Sequence, residues 1–530
     1  MAQATAASPA LPGALPSPAA DGIEPRRLAA FLIMVVGMFM AILDIQIVSA
    51  SLAEIQAGLS ASADEISWVQ TSYLIAEVVM IPLSGFLARV FSTRLLFAAS
   101  AAGFTVMSIA CGLSTSIEEM IVFRALQGFI GGGMIPSVFA ASFSIFPPSK
   151  RPLVQPLIGL VATLAPTIGP TLGGYLTDLF SWHWLFFINV VPGIVVAVGT
   201  FLLVDFDEPN LALLERFDWW GLIAMALFLC SLEYVLEEGP RNDWFDDHLI
   251  TTFAVLCGVG AAAFFARVLT AATPIVDLTA FRNRNFASGC LFSFGLGIGL
   301  YGLTYLYPVY LGRVRGYSSL QIGETMFVTG LTMLAMAPVA GRLSAKLDQR
   351  LMLGLGLVGF ATGTWWASGI TKDWDFWELF WPQILRGGSL MLCMVPINNI
   401  ALGTLSPDRL KNASGLYNLM RNLGGAVGLA VINTVLNDRI DLHLARLHEA
   451  VSTANPQAAA WLAALQARFS AFGDQASSMA LKELALTVRV QATVQAFGDI
   501  FLVLTAIFLA LTPLLLLLRP PSAGGAGGGH

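Results

Sequence analysis

The chain has 530 residues, of which 56% are hydrophobic and only 12% charged, with a net charge of −6 and a mean hydropathy of +0.73. This balance excludes an ordinary water-soluble domain, and the small negative charge provides no basic face for nucleic acid. Cys111, Cys230, Cys257, Cys290 and Cys393 each fall in a different apolar run without a CxxC pair, which argues against a disulfide framework or a zinc site.

Residues 1–27 begin rich in Ala and Pro and lack a basic n-region, so they are expected to form a disordered cytoplasmic tail and not a cleaved signal. Apolar runs of about 20 residues then recur, each long enough to cross a ~30 Å hydrocarbon core as a helix, the form that satisfies backbone groups locally. They predict helices over 28–50, 66–88, 95–114, 118–142, 153–177, 182–204, 217–237, 249–270, 286–310, 320–342, 351–370, 377–402, 413–436 and 498–518. Basic residues, from Arg26 and Arg27 through Lys150 and Arg151 to Arg409 and Lys411, collect in alternate loops, whereas the opposite short loops hold only Arg241, Arg313, Arg315 and Lys372. The basic side marks the cytoplasm, so both termini are expected there, which requires an even helix count. The stretch 437–497 is then periplasmic and too long for a simple connection. Within it, Ile440, Leu442, Leu444 and Leu447, then Trp461, Leu462, Leu465 and Phe469, recur near a helical period and predict amphipathic helices. These would rest on the membrane surface, cap the second half, or contact a partner. Residues 519–530 read as a flexible Gly-rich tail.

The chain also repeats itself, a mark of transporter folds. Gly85-Phe86-Leu87-Ala88-Arg89 after helix 2 is echoed by Gly341-Arg342-Leu343-Ser344-Ala345 after helix 10, and Gln127-Gly128 to Ile135-Pro136 by Arg386-Gly387 to Val395-Pro396. Two six-helix halves, 28–204 and 286–518, thus flank 217–270, which reads as two inserted linker helices.

These segments resemble the major facilitator superfamily, in particular its fourteen-helix drug:proton antiporter branch of EmrB/QacA type. Arg124-Ala125-Leu126-Gln127-Gly128 matches an RxxQG element, and Ala165-Pro166-Thr167-Ile168-Gly169-Pro170-Thr171-Leu172-Gly173-Gly174 matches the GPxxGG antiporter motif. Leu43-Asp44 stands at the LDxTIVNVALP signature, and Trp184 to Val190 fits WxFxINVP. The chain departs from the pattern at Gln46, Ser49 and Ala53 in helix 1, and at Arg89 and Ser92, where the family has an Asp and a Gly. The resemblance implies an all-α membrane protein with the major facilitator fold and alternating access. It implies a proton-coupled exporter of hydrophobic or amphipathic toxic compounds in a bacterial inner membrane, driven by the proton gradient without a cofactor. It also implies a periplasmic adaptor and an outer-membrane channel as partners.

Independently of the family, Gly169, Gly173 and Gly174 let a neighbouring backbone approach, while Pro166 and Pro170 each remove an intrahelical donor and favour a kink; a static packing face is the alternative. Ionisable groups inside the bilayer require water or a partner, which singles out Asp44, Glu77, Arg124, Glu324, Arg386 and Arg421. Asp44 and Glu77 are the proton-site candidates with Arg124 as their modulating cation, set against a purely structural ion pair. Glu324 and Arg386 could do the same in the second half, and Arg421 could simply anchor a helix. Glu233, Glu237 and Glu238, at the end of helix 7, are expected to face water. Tyr301, Tyr305 and Tyr307 are available as aromatic pocket walls, and Trp365 and Trp366 as an interfacial belt.

Gly354 to Gly359 satisfies GxGxxG but lies in a membrane run, and no GxxxxGK[ST] exists, which leaves an ion gradient as the energy source. A dedicated carrier for one metabolite or fatty acid is the second transporter reading. An enzyme lacks a nucleophile–base set or metal cluster here, and a channel leaves the duplicated Gly/Pro-rich halves unexplained.

Overall fold

The computed structural model describes residues 24–518 except 63–64, 148–149, 272 and 452–454. The tail expectations for 1–23 and 519–530 lie outside these residues, and 25–27 already belong to the first helix.

Among the described residues the regular structure is helical. In chain order it comprises α1 (Pro25–Ala50), α2 (Leu52–Leu59), α3 (Trp68–Gly112), α4 (Ile117–Gly131), α5 (Met134–Ile145), α6 (Arg151–Leu179), α7 (Trp184–Phe187), α8 (Val190–Leu203), α9 (Trp219–Glu238), α10 (His248–Thr270), α11 (Arg284–Arg313), α12 (Ser319–Lys346), α13 (Gln349–Ala367), α14 (Phe376–Leu402), α15 (Pro407–Ala450), α16 (Pro456–Arg468) and α17 (Ala476–Leu511), with short 3-10 turns between some of them. Many starts are written in the sequence. Ser116, Asp218, Asp247 and Asn283 accept backbone N–H groups of the first turn, and Ser318 with Gln321 and Asp375 with Glu378 form reciprocal capping boxes.

Among the described residues, twelve helical stretches are long and apolar enough to cross a membrane. One of them, α3, has 45 residues and is interrupted at Ser92, whose φ of 73° and ψ of 156° leave helical space. This is the position at which the resemblance expects a glycine, the residue that adopts such a conformation without steric cost.

One half is built from α1 and α3 to α8, the other from α11 to α15 and α17. They meet where α6 runs along α12 and where α3 packs on α15. The linker pair α9 and α10 packs together closely enough that a Cβ on Gly260 would sit 2.6 Å from the Phe228 backbone nitrogen. Its member α9 leans on both α3 and α15, so this helix lies on the seam between the halves.

The expected loop 437–497 is largely helical: α15 continues to Ala450, α16 follows, and α17 starts at Ala476. Its apolar side chains cover one another. Leu465, Ala480, Leu484 and Val488 form a separate small core with Leu444, Leu447, Leu462 and Phe469. The amphipathic helices expected here are thus present, with their apolar faces packed on one another.

Candidate functional site: a seam cavity beside a buried charge network

Three short motifs converge on Asp44. Its Oδ2 receives Arg124 Nη1 at 2.6 Å, and its Oδ1 receives Asn189 Nδ2 at 2.7 Å and Gln127 Nε2 at 3.3 Å. Arg124 also donates to Gln127 Oε1 at 2.7 Å and to the Val69 carbonyl at 3.2 Å, and its guanidinium lies 4.3 Å from the Tyr73 ring centre. The ring face accounts for Nη2, which has no hydrogen-bond acceptor. Gly128 permits this approach, because a Cβ there would lie 2.3 Å from the Tyr73 carbonyl oxygen. Asp44 and Arg124 are both wholly buried, so the pair is sealed and satisfied.

Glu77 lies one helical turn beyond Tyr73 and makes no ion pair among the described residues; it lines a cavity of about 490 Å³ between the halves. Arg124 thus pairs with Asp44 and not with Glu77. The opposite wall carries Tyr301 and Tyr305, whose hydroxyls donate to Asn422 at 3.3 Å and Asn433 at 2.6 Å. A mainly apolar cavity of this size with a few fixed polar groups suits a small amphipathic ligand.

The third wall is α9. Glu233, Glu237 and Glu238 line the cavity, with Thr71 donating to Glu238 at 3.2 Å. This corrects the expectation that they simply face outside water. Seating α9 on the seam turns its acidic end inward.

Glu324 and Arg386 do not meet. Ile322 faces the cavity and Gly323 packs on Thr171, which rotates Glu324 to the exposed face of α12. Arg386 is buried, donates to Thr304 Oγ1 at 3.0 Å and lies 5.6 Å from the Tyr307 ring centre, so Tyr307 serves Arg386 and not the cavity wall. Arg421 sits between Phe139 and Tyr417, at 4.9 and 5.0 Å, and bridges the two halves.

The antiporter-motif helix α6 is continuous through Pro156, Pro166 and Pro170. Its glycines face α1: a Cβ on Gly169 would lie 2.5 Å from Gln46 Cβ, and one on Gly173 would lie 2.9 Å from the Ile47 carbonyl oxygen. Gly174 is buried beside them, and Pro170 reaches the cavity. Gly354, Gly356 and Gly359 likewise serve packing, the last two against α14.

On the side of the basic loops the seam is shut. A Cβ on Gly85 would lie 2.7 Å from the Lys411 carbonyl oxygen, and one on Gly415 would lie 2.9 Å from that of Ile81. Asp207, in the connector after α8, ion-pairs with Lys411 and accepts from the backbone N and the hydroxyl of Thr93, each at 2.8 Å. Lys411 Nζ also donates to the Ala88 carbonyl at 3.0 Å. A carboxylate from a connector therefore clasps the two halves where Arg89 and Ser92 replace the family's Asp and Gly. At the other end the cavity is bounded by Ser49, Ser67, Arg241 and Asn433, on the side with few basic residues.

Two helical halves closing one end of a central cavity, with buried charges beside it, define a membrane transporter. The chain belongs to the Major Facilitator Superfamily, whose sequence profile matches residues 34–429, and it is accordingly a multi-pass membrane transporter and not an enzyme. It is similar to EmrB-type multidrug exporters. It shares 43% identity over 481 residues with the colistin resistance protein EmrB of Acinetobacter baumannii, covering 90% of this chain and 94% of that one. It shares 33% identity over 512 residues with the multidrug export protein EmrB of Escherichia coli K12, covering 96% and 99%. With the fatty acid resistance protein FarB of Neisseria gonorrhoeae it shares 32% over 496 residues, covering 93% and 96%. The human organic anion transporter MFSD10 (TETRAN) shares the fold, with a TM-score of 0.57 at 13% identity over 92% of this chain and 100% of that one.

Proposed function

We propose that this chain is the proton-coupled inner-membrane exporter of hydrophobic or amphipathic toxic compounds in a tripartite pump. Counting α3 twice for its break at Ser92 and adding the 19-residue α13 to the twelve stretches gives fourteen crossings. The two six-helix halves then flank α9 and α10, with both termini on the basic, cytoplasmic side. The shut end is cytoplasmic in this reading, and the cavity faces the periplasm.

The observation that carries the proposal is Glu77, only 3% exposed, lining the cavity without a counter-ion beside a sealed Asp44–Arg124 pair. A carboxylate in that setting is neutralised either by a proton or by the charge of a ligand, so occupancy by one displaces the other. Asp44 and Arg124 hold α1, α3 and α4 in register around it. The close α6–α1 contact at Gly169 and Gly173 seats α6 within the first half, and α6 in turn runs along α12 at the seam on which the halves rock. Aromatic and apolar walls accept the substrate body.

Purified protein in liposomes should export a lipophilic dye when a pH gradient is imposed, and export should collapse with an uncoupler. Dye movement indifferent to the gradient would refute proton coupling. The helical unit at 437–497, which exposes Trp461, Phe472, Leu481 and Leu486, is the proposed dock for a periplasmic adaptor leading to an outer-membrane channel. Replacing 445–490 by a Gly/Ser linker should reduce adaptor co-purification and whole-cell resistance while preserving transport in liposomes; undiminished adaptor binding would refute the dock.

A further inference from the structure

Between the cavity and the clasp the seam is closed in layers that can be followed along two facing helices. On α15, Asn422 lines the cavity and Lys411 makes the clasp, about 16 Å apart along the helix. On α5, Ile135 lines the cavity, Phe139 lies one turn deeper and Ser142 deeper still.

The lower layer is a polar chain that crosses the seam. Gln155 Nε2 of α6 donates to Ser142 Oγ of α5 at 3.0 Å, Asn398 Nδ2 of α14 donates to Gln155 Oε1 at 3.4 Å, and the Tyr417 hydroxyl of α15 donates to Asn398 Oδ1 at 2.5 Å. All four side chains are wholly buried, two from each half. A buried row of hydrogen-bonding groups is where water, and a proton with it, enters a closed seam most readily.

The upper layer is Arg421. It is 3% exposed, lies between the Phe139 ring of the first half and the Tyr417 ring of the second, and makes no ion pair among the described residues. Its Nε and Nη2 have no hydrogen-bond acceptor. Arg124, by contrast, is neutralised by Asp44. A buried cation without a counter-charge is costly, and ring faces offset only part of that cost. Its field therefore acts in full on any positive charge that leaves the cavity lined by Glu77 and Asn422.

We propose that Arg421 is the insulating residue of proton-coupled export: its charge keeps protons in the cavity from crossing the closed seam along the Tyr417–Asn398–Gln155–Ser142 chain. This rests on the coupling reading for its physiological purpose, while the leak it forbids is measured without substrate. At about 8 Å, with an effective dielectric constant of about 20, one unit charge disfavours a second by about 30-fold. Fixed positive charge excludes protons from pores in the same way. When the halves part at the clasp, Phe139 leaves with α5 and Arg421 with α15, so the barrier is split only in the open state.

The test uses the full chain in liposomes holding a pH dye, with an imposed pH gradient, a potassium–valinomycin clamp and no substrate. Wild-type vesicles should lose the gradient no faster than protein-free ones. Arg421→Gln should lose it about tenfold faster or more, and Arg421→Lys should stay tight. Asn418→Asp sets a carboxylate one turn before Arg421 at a buried position without changing its shape, so it should leak as well, and it decides the matter if Arg421→Gln fails to insert. A tight Arg421→Gln, or in its absence a tight Asn418→Asp, overturns the proposal. So does Arg421→Lys leaking like Arg421→Gln, which would assign the seal to packing and not to charge. Leak in Arg421→Gln together with wild-type dye export indifferent to the gradient supports the barrier and counts against the coupling reading alone.

Discussion

Substitution of Asp207 by Asn isolates the clasp at the shut end of the seam. Asp207 Oδ2 takes three donors, Lys411 Nζ and the backbone N and hydroxyl of Thr93, and the ion pair is 20% and 14% exposed on its two sides. Hydrogen bonds to a charged group contribute about 1.5–3 kcal/mol each, and an asparagine retains part of two of them. With a discount for the remaining solvent access, the substitution should weaken the closed end by about 2–3 kcal/mol. At 1.4 kcal/mol per decade, that favours opening on this side by about 30- to 150-fold. The opening can be read from maleimide labelling of a cysteine placed at Ala140, buried at the shut end, in a background lacking the native cysteines. Labelling should accelerate in Asp207→Asn and in Lys411→Gln, and the double variant should label no faster than the faster single, as expected for partners in one interaction. Unchanged labelling in both single variants, or fully additive effects, would refute the clasp.

Asp44→Asn should destabilise the protein by about 3–5 kcal/mol, because it leaves the buried Arg124 guanidinium without its counter-charge; a melting temperature within a degree of wild type would contradict this. Gly173→Leu drives a side chain into the Ile47 carbonyl, so it should insert normally yet lose export, and wild-type transport would show that the α6–α1 contact is dispensable. Ser92→Gly relieves a positive φ and should raise thermal stability by about 1 kcal/mol; destabilisation would mean the serine hydroxyl matters more than the backbone strain.

Local patterns exposed much of this in advance, and the failures have physical causes. Asp44, Arg124, Gln127 and Asn189 lie in short motifs, so the neighbourhood was visible, although only the fold shows that all four meet at one carboxylate. Glu324 is five residues from the start of α12 at Ser319 and reads like any membrane carboxylate. One residue of helix rotation, about 100°, separates the inward Gly323 from the exposed Glu324. Glu233 had a signal that was misread: it falls inside the α9 apolar run, and the rule that selected Asp44 applies to it equally. Asp207 had none, since a connector carboxylate acquires its role from Lys411, distant in sequence. In the 437–497 segment, Leu444, Leu447, Leu462, Leu465 and Phe469 were legible as apolar faces, but Trp461, counted with them, is exposed. Periodicity locates a face without saying what covers it.

The central claim is that a proton and the substrate compete for Glu77 in the cavity, and proton release on substrate binding tests it most directly. In weakly buffered detergent solution containing a pH dye, adding a saturating lipophilic cation to the wild type should release protons, and Glu77→Gln should release markedly fewer while remaining folded. Equal release from both proteins would contradict the account.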